Sequence, residues 1–167
     1  MIENVPDGWK IDKLGNLCDI ATGKKDANHG EESGEYLFFT CAAKPIKSHT
    51  YSFDGKSIIL AGNGANVGLV LYYDGQFEAY QRTYILNNFN ENSRYIYYNL
   101  KKNWIIHNES RQYGSATNYI KMDNITEYPI LIPPLPQQEK IVKVLDISSA
   151  LVEKQKELIQ KYDLFLK

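Results

Sequence analysis

The chain has 167 residues, of which 43% are hydrophobic, and this is enough for one globular domain with a core and an appendage. Its formal net charge of -1 argues against an indiscriminate nucleic-acid binder, which needs many phosphate contacts, but is compatible with a reader that has a local basic patch or a partner that supplies the charge. Cys18 and Cys41 form neither a C-x-x-C pair nor a disulfide framework, and no apolar run is long enough to span a bilayer, so we expect a cytoplasmic protein with free thiols.

The first half of the chain has the pattern of short strands separated by polar loops. Five strands are predicted, at residues 18–22, 36–41, 57–61, 67–73 and 77–87. The Asp-Gly pairs at 54–55 and 74–75 favour hairpin turns, because Asp and Gly tolerate the positive φ that such turns require. Residues 26–35 and 42–50 predict loops, and the second of these carries two lysines without an acidic residue.

The second half begins with the clearest internal helix, predicted at residues 94–106. Its apolar face is formed at helical spacing by Tyr97, Leu100 and Trp104. Residues 111–119 are small and polar, and they predict an exposed loop. Residues 120–126 predict a short helix or a turn.

A last strand and a long helix are predicted to meet at a run of prolines. The apolar strand at 128–132 stops there because proline lacks the N–H that a sheet ladder needs, whereas Pro136 suits the first turn of a helix. A helix from residue 136 to 167 would be about 48 Å long at about 1.5 Å per residue, which is too long to rest fully on the preceding domain. The sequence therefore predicts a globular domain at 1–135 and a projecting helix at 136–167.

The long helix carries a heptad-like row of side chains that predicts pairing with a second helix. The row alternates spacings of four and three, and it consists of Ile141, Leu145, Ser148, Val152, Gln155, Ile159, Tyr162 and Leu166. Its polar members, Ser148 and Gln155, weaken the row but suit a role in fixing its register. We expect the other six to form a dimer interface; the alternative is that the helix folds back and closes its own core.

The segment Gly62-Asn-Gly-Ala-Asn-Val-Gly68 superficially resembles a dinucleotide-binding loop. Its spacing is G-x-G-x-x-x-G, and the β-branched and aromatic residues after it predict a strand. A dinucleotide site needs a helix there, because the helix N-terminus holds the pyrophosphate. A structural turn is therefore the favoured interpretation, and a bare backbone that another molecule can approach closely is the next.

No arrangement of residues in the sequence indicates catalysis or a bound metal. His29, His49 and His107 do not have metal-ligand spacing with either cysteine. The sequence contains no G-x-S-x-G elbow and no P-loop, and its acidic residues are scattered. We therefore expect no catalytic site, no cofactor and no metal.

Polar side chains that can donate hydrogen bonds are concentrated in the predicted loops. They are Lys24, Lys25, Lys44, Lys47, Ser48, Asn63, Asn66, Gln81, Arg82, Arg111, Gln112, Ser115, Thr117 and Asn118. Arginine suits guanine edges and phosphates, Asn and Gln suit adenine edges in the major groove, and lysines neutralise phosphates. For any one residue a solvated surface position is the simpler interpretation, but the group as a whole is compatible with DNA contact.

Both ends of the domain resemble one protein family. The segments Val5-Pro-Asp-Gly-Trp9, Leu14-Gly15 and Ile20-Ala-Thr-Gly23 are similar to the opening of the target recognition domains in the specificity (S) subunits of type I restriction-modification enzymes. The run Ile125-Thr-Glu-Tyr-Pro-Ile-Leu-Ile-Pro-Pro-Leu-Pro136, followed by Ile141-Val142 and Leu145, is similar to the start of that family's spacer helix, and Gly114-Ser115 through Tyr119-Ile120 resembles the stretch before it. One departure is Gln137-Gln138-Glu139, where the family more often has a Glu-Gln pair.

The resemblance implies an α+β (mixed α/β) target recognition domain followed by one long C-terminal coiled-coil helix. Such subunits carry no chemistry; they read a bipartite sequence in double-stranded DNA and position methyltransferase and restriction motor subunits. Members usually hold two recognition domains and two spacer helices, so one of each implies a half-subunit, either natural or a fragment.

Two copies of such a half-subunit would pair their helices antiparallel as a homodimer and read a palindromic split site, whereas pairing with a different half would make the site asymmetric. Two other functions remain open at this stage. One is a dimerising scaffold or inhibitor that reads no DNA, and the other is a nucleotide-using enzyme built on the Gly62–Gly68 segment.

Overall fold

Nine short strands, three α-helices and two single-turn 3-10 helices (Leu14–Asn16 and Ala27–His29) make up the regular structure of residues 5–165, which are the residues that the computed structural model describes. The strands are β1 (Lys10–Lys13), β2 (Asp19–Thr22), β3 (Tyr36–Phe39), β4 (Ile46–Ser48), β5 (Lys56–Ala61), β6 (Val70–Asp74), β7 (Phe77–Ala79), β8 (Thr83–Asn87) and β9 (Pro129–Ile132). The helices are α1 (Ser93–Asn108), α2 (Met122–Thr126) and α3 (Leu135–Phe165). The α+β class expected from the sequence is confirmed.

The central sheet is antiparallel and has the strand order β2-β8-β5-β6. β5 is buried from Ser57 to Ala61, and its nearly continuous apolar sequence is typical of a strand that is covered on both faces. β5 and β6 form a hairpin in which Leu60 pairs with Val70. β8 returns on the other side of β5 and pairs its last residues with β2.

A second sheet has the order β4-β3-β7, with β3 antiparallel to β4 and parallel to β7. A separate antiparallel pair, β1 with β9, sets Lys10 opposite Ile132. This pair brings the start of the described chain next to the proline run from which α3 emerges.

Two apolar clusters hold these layers together. α1 covers one face of the central sheet, and the cluster there includes the fully buried Ile58, Leu60, Ile96, Leu100 and Trp104. The opposite face packs on the second sheet through Phe39, Ile59, Phe77, Ala79 and Ile85. β5 contributes Ile58 and Leu60 to one cluster and Ile59 to the other. The central sheet is therefore the middle layer of the domain.

The prediction of one continuous strand over residues 77–87 is wrong. β7 and β8 belong to different sheets, and the chain crosses between them in a tight turn where the Thr83 amide donates to the Tyr80 carbonyl (2.8 Å). The polar pair Gln81-Arg82 lies at the break, but it contains neither Gly nor Pro, and two polar residues in a row also occur within strands. The strand predicted from residue 67 also starts later, at Val70, because the amides of Val67 and Leu69 bond back into the preceding turn.

The helix predicted at 94–106 is confirmed as α1. Asn92 caps it, since its Oδ1 accepts hydrogen bonds from the amides of Arg94 (3.0 Å) and Tyr95 (3.1 Å), two donors that otherwise lack an intrahelical partner. The predicted face is buried at Leu100 and Trp104.

α3 is anchored to the domain at its start by Gln138, which is fully buried. The Gln138 side chain accepts a hydrogen bond from the Asn92 amide (3.0 Å) and donates to the Pro133 carbonyl (2.9 Å) and to the Glu91 carboxylate (2.8 Å). Glu91 in turn pairs with Lys10 of β1 at 2.9 Å. One side chain therefore ties α3 to the cap of α1 and to the exit of β9.

A second anchor lies two turns further along α3. Asp146 accepts hydrogen bonds from Arg94 and Tyr98 of α1, and the Arg94 guanidinium lies over the Tyr72 ring at 4.8 Å. Burial acts to raise the pKa of Asp146, but the hydrogen bonds from Tyr98 and Arg94 hold it below its ordinary value. The carboxylate is therefore charged at neutral pH, and it fixes the direction in which α3 leaves the domain.

Beyond these anchors α3 projects from the domain, and every described residue from Ala150 to Phe165 is exposed. The whole helix has 31 residues, which corresponds to about 46 Å at about 1.5 Å per residue. The alternative in which the helix folds back and closes its own core is therefore wrong. The division of the chain at residue 135 into two domains stays a prediction.

Candidate nucleic-acid interface

Several loops converge at one edge of the central sheet. The Gly23 amide donates to the Thr83 carbonyl (3.1 Å), the Gly62 amide to the Arg82 carbonyl (3.0 Å), and the Tyr80 amide to the Phe39 carbonyl (2.9 Å). The ends of β2, β3 and β5 therefore meet at the turn between β7 and β8. We call this surface the loop edge and define it as residues 23–26, 40–45, 62–66, 80–82 and 113–119.

Two glycines permit this close approach. A Cβ atom at Gly23 would lie 2.1 Å from the Ala79 carbonyl oxygen, and one at Gly62 would lie 2.4 Å from the Arg82 carbonyl oxygen. Both distances are shorter than real contacts allow, so only glycine fits at either position. The segment from Gly62 leads into β6 rather than into a helix, so it lacks the helix N-terminus that a dinucleotide site needs.

The segment 113–119 joins the loop edge as a small hairpin. Tyr113 and Tyr119 exchange backbone hydrogen bonds of 2.9 Å, and the Gly64 amide donates to the Asn118 carbonyl (2.8 Å). Burial raises the pKa of Tyr84, so its hydroxyl stays protonated and donates to the Ile120 carbonyl (3.1 Å) just after the hairpin. The hairpin is thereby held against the turn of residues 62–66.

Side-chain hydrogen bonds brace the remaining loops. Asn66 donates through Nδ2 to the Cys41 carbonyl (2.8 Å), and the Cys41 thiol donates to the Arg82 carbonyl (3.3 Å). Gln81 donates through Nε2 to Asp26 Oδ1 (3.0 Å). Four segments that are distant in sequence therefore form one connected surface.

The loop edge is positively charged although the chain is not. Its cationic side chains are Lys24, Lys25, Lys44 and Arg82, against the single carboxylate of Asp26, so its formal charge is +3 in a chain of formal charge -1. Among residues 5–165, no acidic side chain forms an ion pair with any of the four cations. Such a patch attracts a polyanion.

Most of the DNA-contact residues predicted from sequence lie at the loop edge. They are Lys24, Lys25, Lys44, Asn63, Asn66, Gln81, Arg82, Ser115, Thr117 and Asn118, of which Lys25 and Asn63 are half-buried and the others exposed. Gln112 is half-buried and borders the edge, in a shallow depression with Gly64 and Asn118.

Three predicted residues lie elsewhere. Ser48 is a wrong prediction, because its side chain is fully buried in β4 and its hydroxyl donates to the Thr50 carbonyl (3.0 Å). Lys47 is exposed but sits in β4, which runs away from the loop edge. Arg111 is bound to the end of α1, where its guanidinium donates to the His107 carbonyl. Burial and the Arg111 charge lower the pKa of His107.

An aromatic pair at the loop edge was not among the predicted site residues. Tyr113 and Tyr119 are 42% and 37% exposed, and their rings stack with centroids 5.6 Å apart. The Lys121 ammonium lies 4.1 Å from the centre of the Tyr113 ring. The signal available in the sequence was the placement of two tyrosines at either end of a short run of small residues.

The exposed face of α3 is wider than the predicted row. Val152, Ile159 and Tyr162 are exposed as expected, whereas Ile141 and Leu145 are half-buried on the domain and Leu166 lies outside the described residues. A second column with a spacing of seven was missed; it consists of Val144, Leu151, Leu158 and Phe165, which are 62%, 59%, 45% and 84% exposed. This column lies on the side of α3 opposite Val142, which is buried on the domain.

The residues from 5 to 165 include no group of three or more His, Cys, Asp or Glu side chains that are placed to hold a metal ion. Over the same range, no helix combines the length and the apolar character that crossing a membrane requires.

Residues 6–161 match the model of one protein family, which is described as the type I restriction modification DNA specificity domain. The chain is 34% identical over 163 residues to the specificity subunit of the type I restriction enzyme EcoDI of Escherichia coli, an alignment that covers 98% of this chain. It covers 36% of that subunit, so the chain spans about a third of the length of this relative.

Solved structures share the fold. The S subunit of the type I restriction-modification system of M. genitalium superposes with a TM-score of 0.77 at 20% identity, covering 95% of this chain and 43% of that one. A second solved structure concerns complex assembly and conformational transition of the type I R-M system. One of its chains superposes with a TM-score of 0.71 at 20% identity, covering 92% of this chain and 41% of that one. With the family match over nearly the whole chain, these findings show that the chain belongs to the type I restriction modification DNA specificity domain family.

Proposed function

We propose that the chain is a non-catalytic DNA reader that recognises one half of a bipartite target for a type I restriction-modification system. The observation that carries this proposal is the loop edge, a braced surface of formal charge +3 on a chain whose overall charge is -1. Family membership and the specificity role named for the E. coli relative support the same function.

The chemistry of the loop edge suits the major groove of double-stranded DNA. The lysines supply point charges for phosphates, and such contacts position the protein on the DNA without reading its sequence. The arginine and the amide side chains supply the donors and acceptors that distinguish base pairs. Because only a few charges are available, we expect weak DNA binding by the chain alone and tighter binding once partner subunits add their own contacts.

We further propose that α3 is a spacer and pairing helix. Its exposed apolar columns have the spacing that a second helix would bury, and about half of the helix extends beyond the domain. A second specificity half, in the simplest case another copy of this chain, is the proposed partner. A symmetric antiparallel pair would place one loop edge at each end and read a palindromic split site.

The same assembly would dock methyltransferase subunits and restriction motor subunits in the cytoplasm. A solved structure that shares the fold concerns complex assembly of the type I R-M system, which supports this part of the proposal.

The test is to map methylated sites in cells that carry this chain and its cognate methyltransferase subunits. A bipartite sequence motif with a fixed gap is the expected result. Methylation that is absent, or that is independent of this chain, would leave it a scaffold or inhibitor. A salt titration of DNA binding, with and without the methyltransferase, tests the weak intrinsic affinity; strong, sequence-blind binding by the isolated chain contradicts it.

A further inference from the structure

The turn of residues 80–82 is held in place from several sides. The amide of Thr83 closes the turn on the Tyr80 carbonyl (2.8 Å), and the amide of Gln81 donates to the Lys25 carbonyl (2.9 Å). The Arg82 carbonyl accepts from the Gly62 amide (3.0 Å) and from the Cys41 thiol (3.3 Å). The Cα atom of Arg82 is therefore fixed by two loops, 40–45 and 62–66, in addition to its own turn.

The Arg82 side chain, in contrast, is left available. It is exposed, and its guanidinium donates to no acceptor within the part of the chain that is described. The one carboxylate of the loop edge, Asp26, already accepts a hydrogen bond from Gln81 Nε2 (3.0 Å). Arg82 therefore presents five N–H donors from a rigid base at the centre of the loop edge.

A planar set of paired donors matches one base in particular. Guanine presents two acceptors, O6 and N7, at its major-groove edge, whereas adenine presents one acceptor and one donor. A guanidinium has donors only, so it forms the paired contact with guanine and not with adenine. The flanking Lys24 and Lys44 are point charges on exposed loops, and this geometry suits phosphates.

We propose that Arg82 reads a guanine of the half-site through paired hydrogen bonds to O6 and N7. This inference rests on the proposed function and deepens it by naming the base and the side chain that selects it. The neighbouring Gln81 and Cys41 support the turn and are not assigned a base.

The experiment uses the full chain in complex with its cognate methyltransferase subunits and the half-site found by methylation mapping. Each guanine of the half-site is replaced in turn by 7-deazaguanine, which lacks the N7 acceptor. We expect the wild-type complex to lose about tenfold in affinity at one guanine. The R82A complex should bind normal and substituted DNA equally, and its methylated motif should accept any base at that position. R82K keeps the charge but replaces the planar fork with a single ammonium, so it should retain only part of the discrimination.

K24A is the matched comparison, since it should weaken binding to all sequences alike and reduce the salt slope by about one. If R82A also weakens binding to all sequences alike and keeps the discrimination between normal and substituted DNA, Arg82 contacts a phosphate and the inference is overturned. It is also overturned if the half-site contains no guanine on either strand, or if no 7-deazaguanine substitution distinguishes wild type from R82A. A wild-type complex without any sequence preference would instead refute the proposed function itself.

Discussion

Replacing Gln138 with leucine should destabilise the protein far more than the same change at the adjacent Gln137. Gln138 is fully buried and makes three side-chain hydrogen bonds, whereas Gln137 is exposed and its side chain makes none within residues 5–165. Leucine has a similar volume, so the Gln138→Leu change removes the hydrogen bonds without opening a large cavity.

The magnitude follows from the groups left behind. The Asn92 amide and the Pro133 carbonyl lose their partner, and each unsatisfied neutral group costs about 1–3 kcal/mol when buried. Glu91 keeps its ion pair with Lys10 and adds less. The added apolar surface of leucine offsets part of this cost, so we expect the free energy of unfolding to fall by about 3 kcal/mol. For a chain of this size that corresponds to roughly 6–12 °C in Tm.

The assay is urea unfolding monitored by circular dichroism. It is run at two protein concentrations, because a contribution from helix pairing would make the unfolding midpoint depend on concentration. The Gln137→Leu control should change the unfolding free energy by less than about 0.5 kcal/mol. If Gln138→Leu costs no more than that control, the buried network does not stabilise the junction and the reasoning is refuted.

Three further changes test other parts of the structure. Burial raises the pKa of Cys18 from 9.0 to about 12, so the thiol of the unfolded chain loses its proton at a lower pH than that of the folded chain. The free energy of unfolding should therefore fall as the pH rises from 9 to 12. In chemical denaturation at several pH values, Cys18→Ala should reduce this dependence of the unfolding free energy on pH. Charged residues at Leu151 and Leu158 should convert a dimer to a monomer in analytical sedimentation without lowering the Tm of the domain, and an unchanged mass would refute pairing through that column. Gly62→Ala forces a Cβ against the Arg82 carbonyl and should cost about 1–3 kcal/mol, together with a loss of sequence-specific binding; unchanged stability would contradict the close approach.

The elements that the sequence predicted correctly are those determined by local pattern. α1 was predicted because Leu100 and Trp104 recur at helical spacing, and β5 because its buried run is unbroken between turn residues. The turn after β5 was predicted because the apolar residues beyond it favour a strand. α3 was predicted from the proline that opens it and from the length of the pattern that follows.

The features that the sequence did not reveal depend on tertiary contacts. The polar pair Gln81-Arg82 marks the break between β7 and β8 only weakly, because what separates the two strands is that one pairs with β3 and the other with β5. Ser48 looked like a loop residue because its burial comes from strand pairing with β3. The convergence of the loop edge was likewise invisible, since it follows from sheet order. The second apolar column of α3 has its spacing of seven in the sequence, but only the packing of Val142 on the domain places that column on the exposed side of the helix.

The position of residues 80–82 between two sheets limits how this surface can evolve. An insertion there would displace β7 and β8 together and disturb both apolar clusters, so we expect this turn to tolerate change only in its exposed side chains at 81 and 82. The hairpin at 113–119 belongs to neither sheet, and it can change length without moving either of them. Under the proposed function, new targets would thus arise by substitution at the centre of the surface and by insertion or deletion at its periphery.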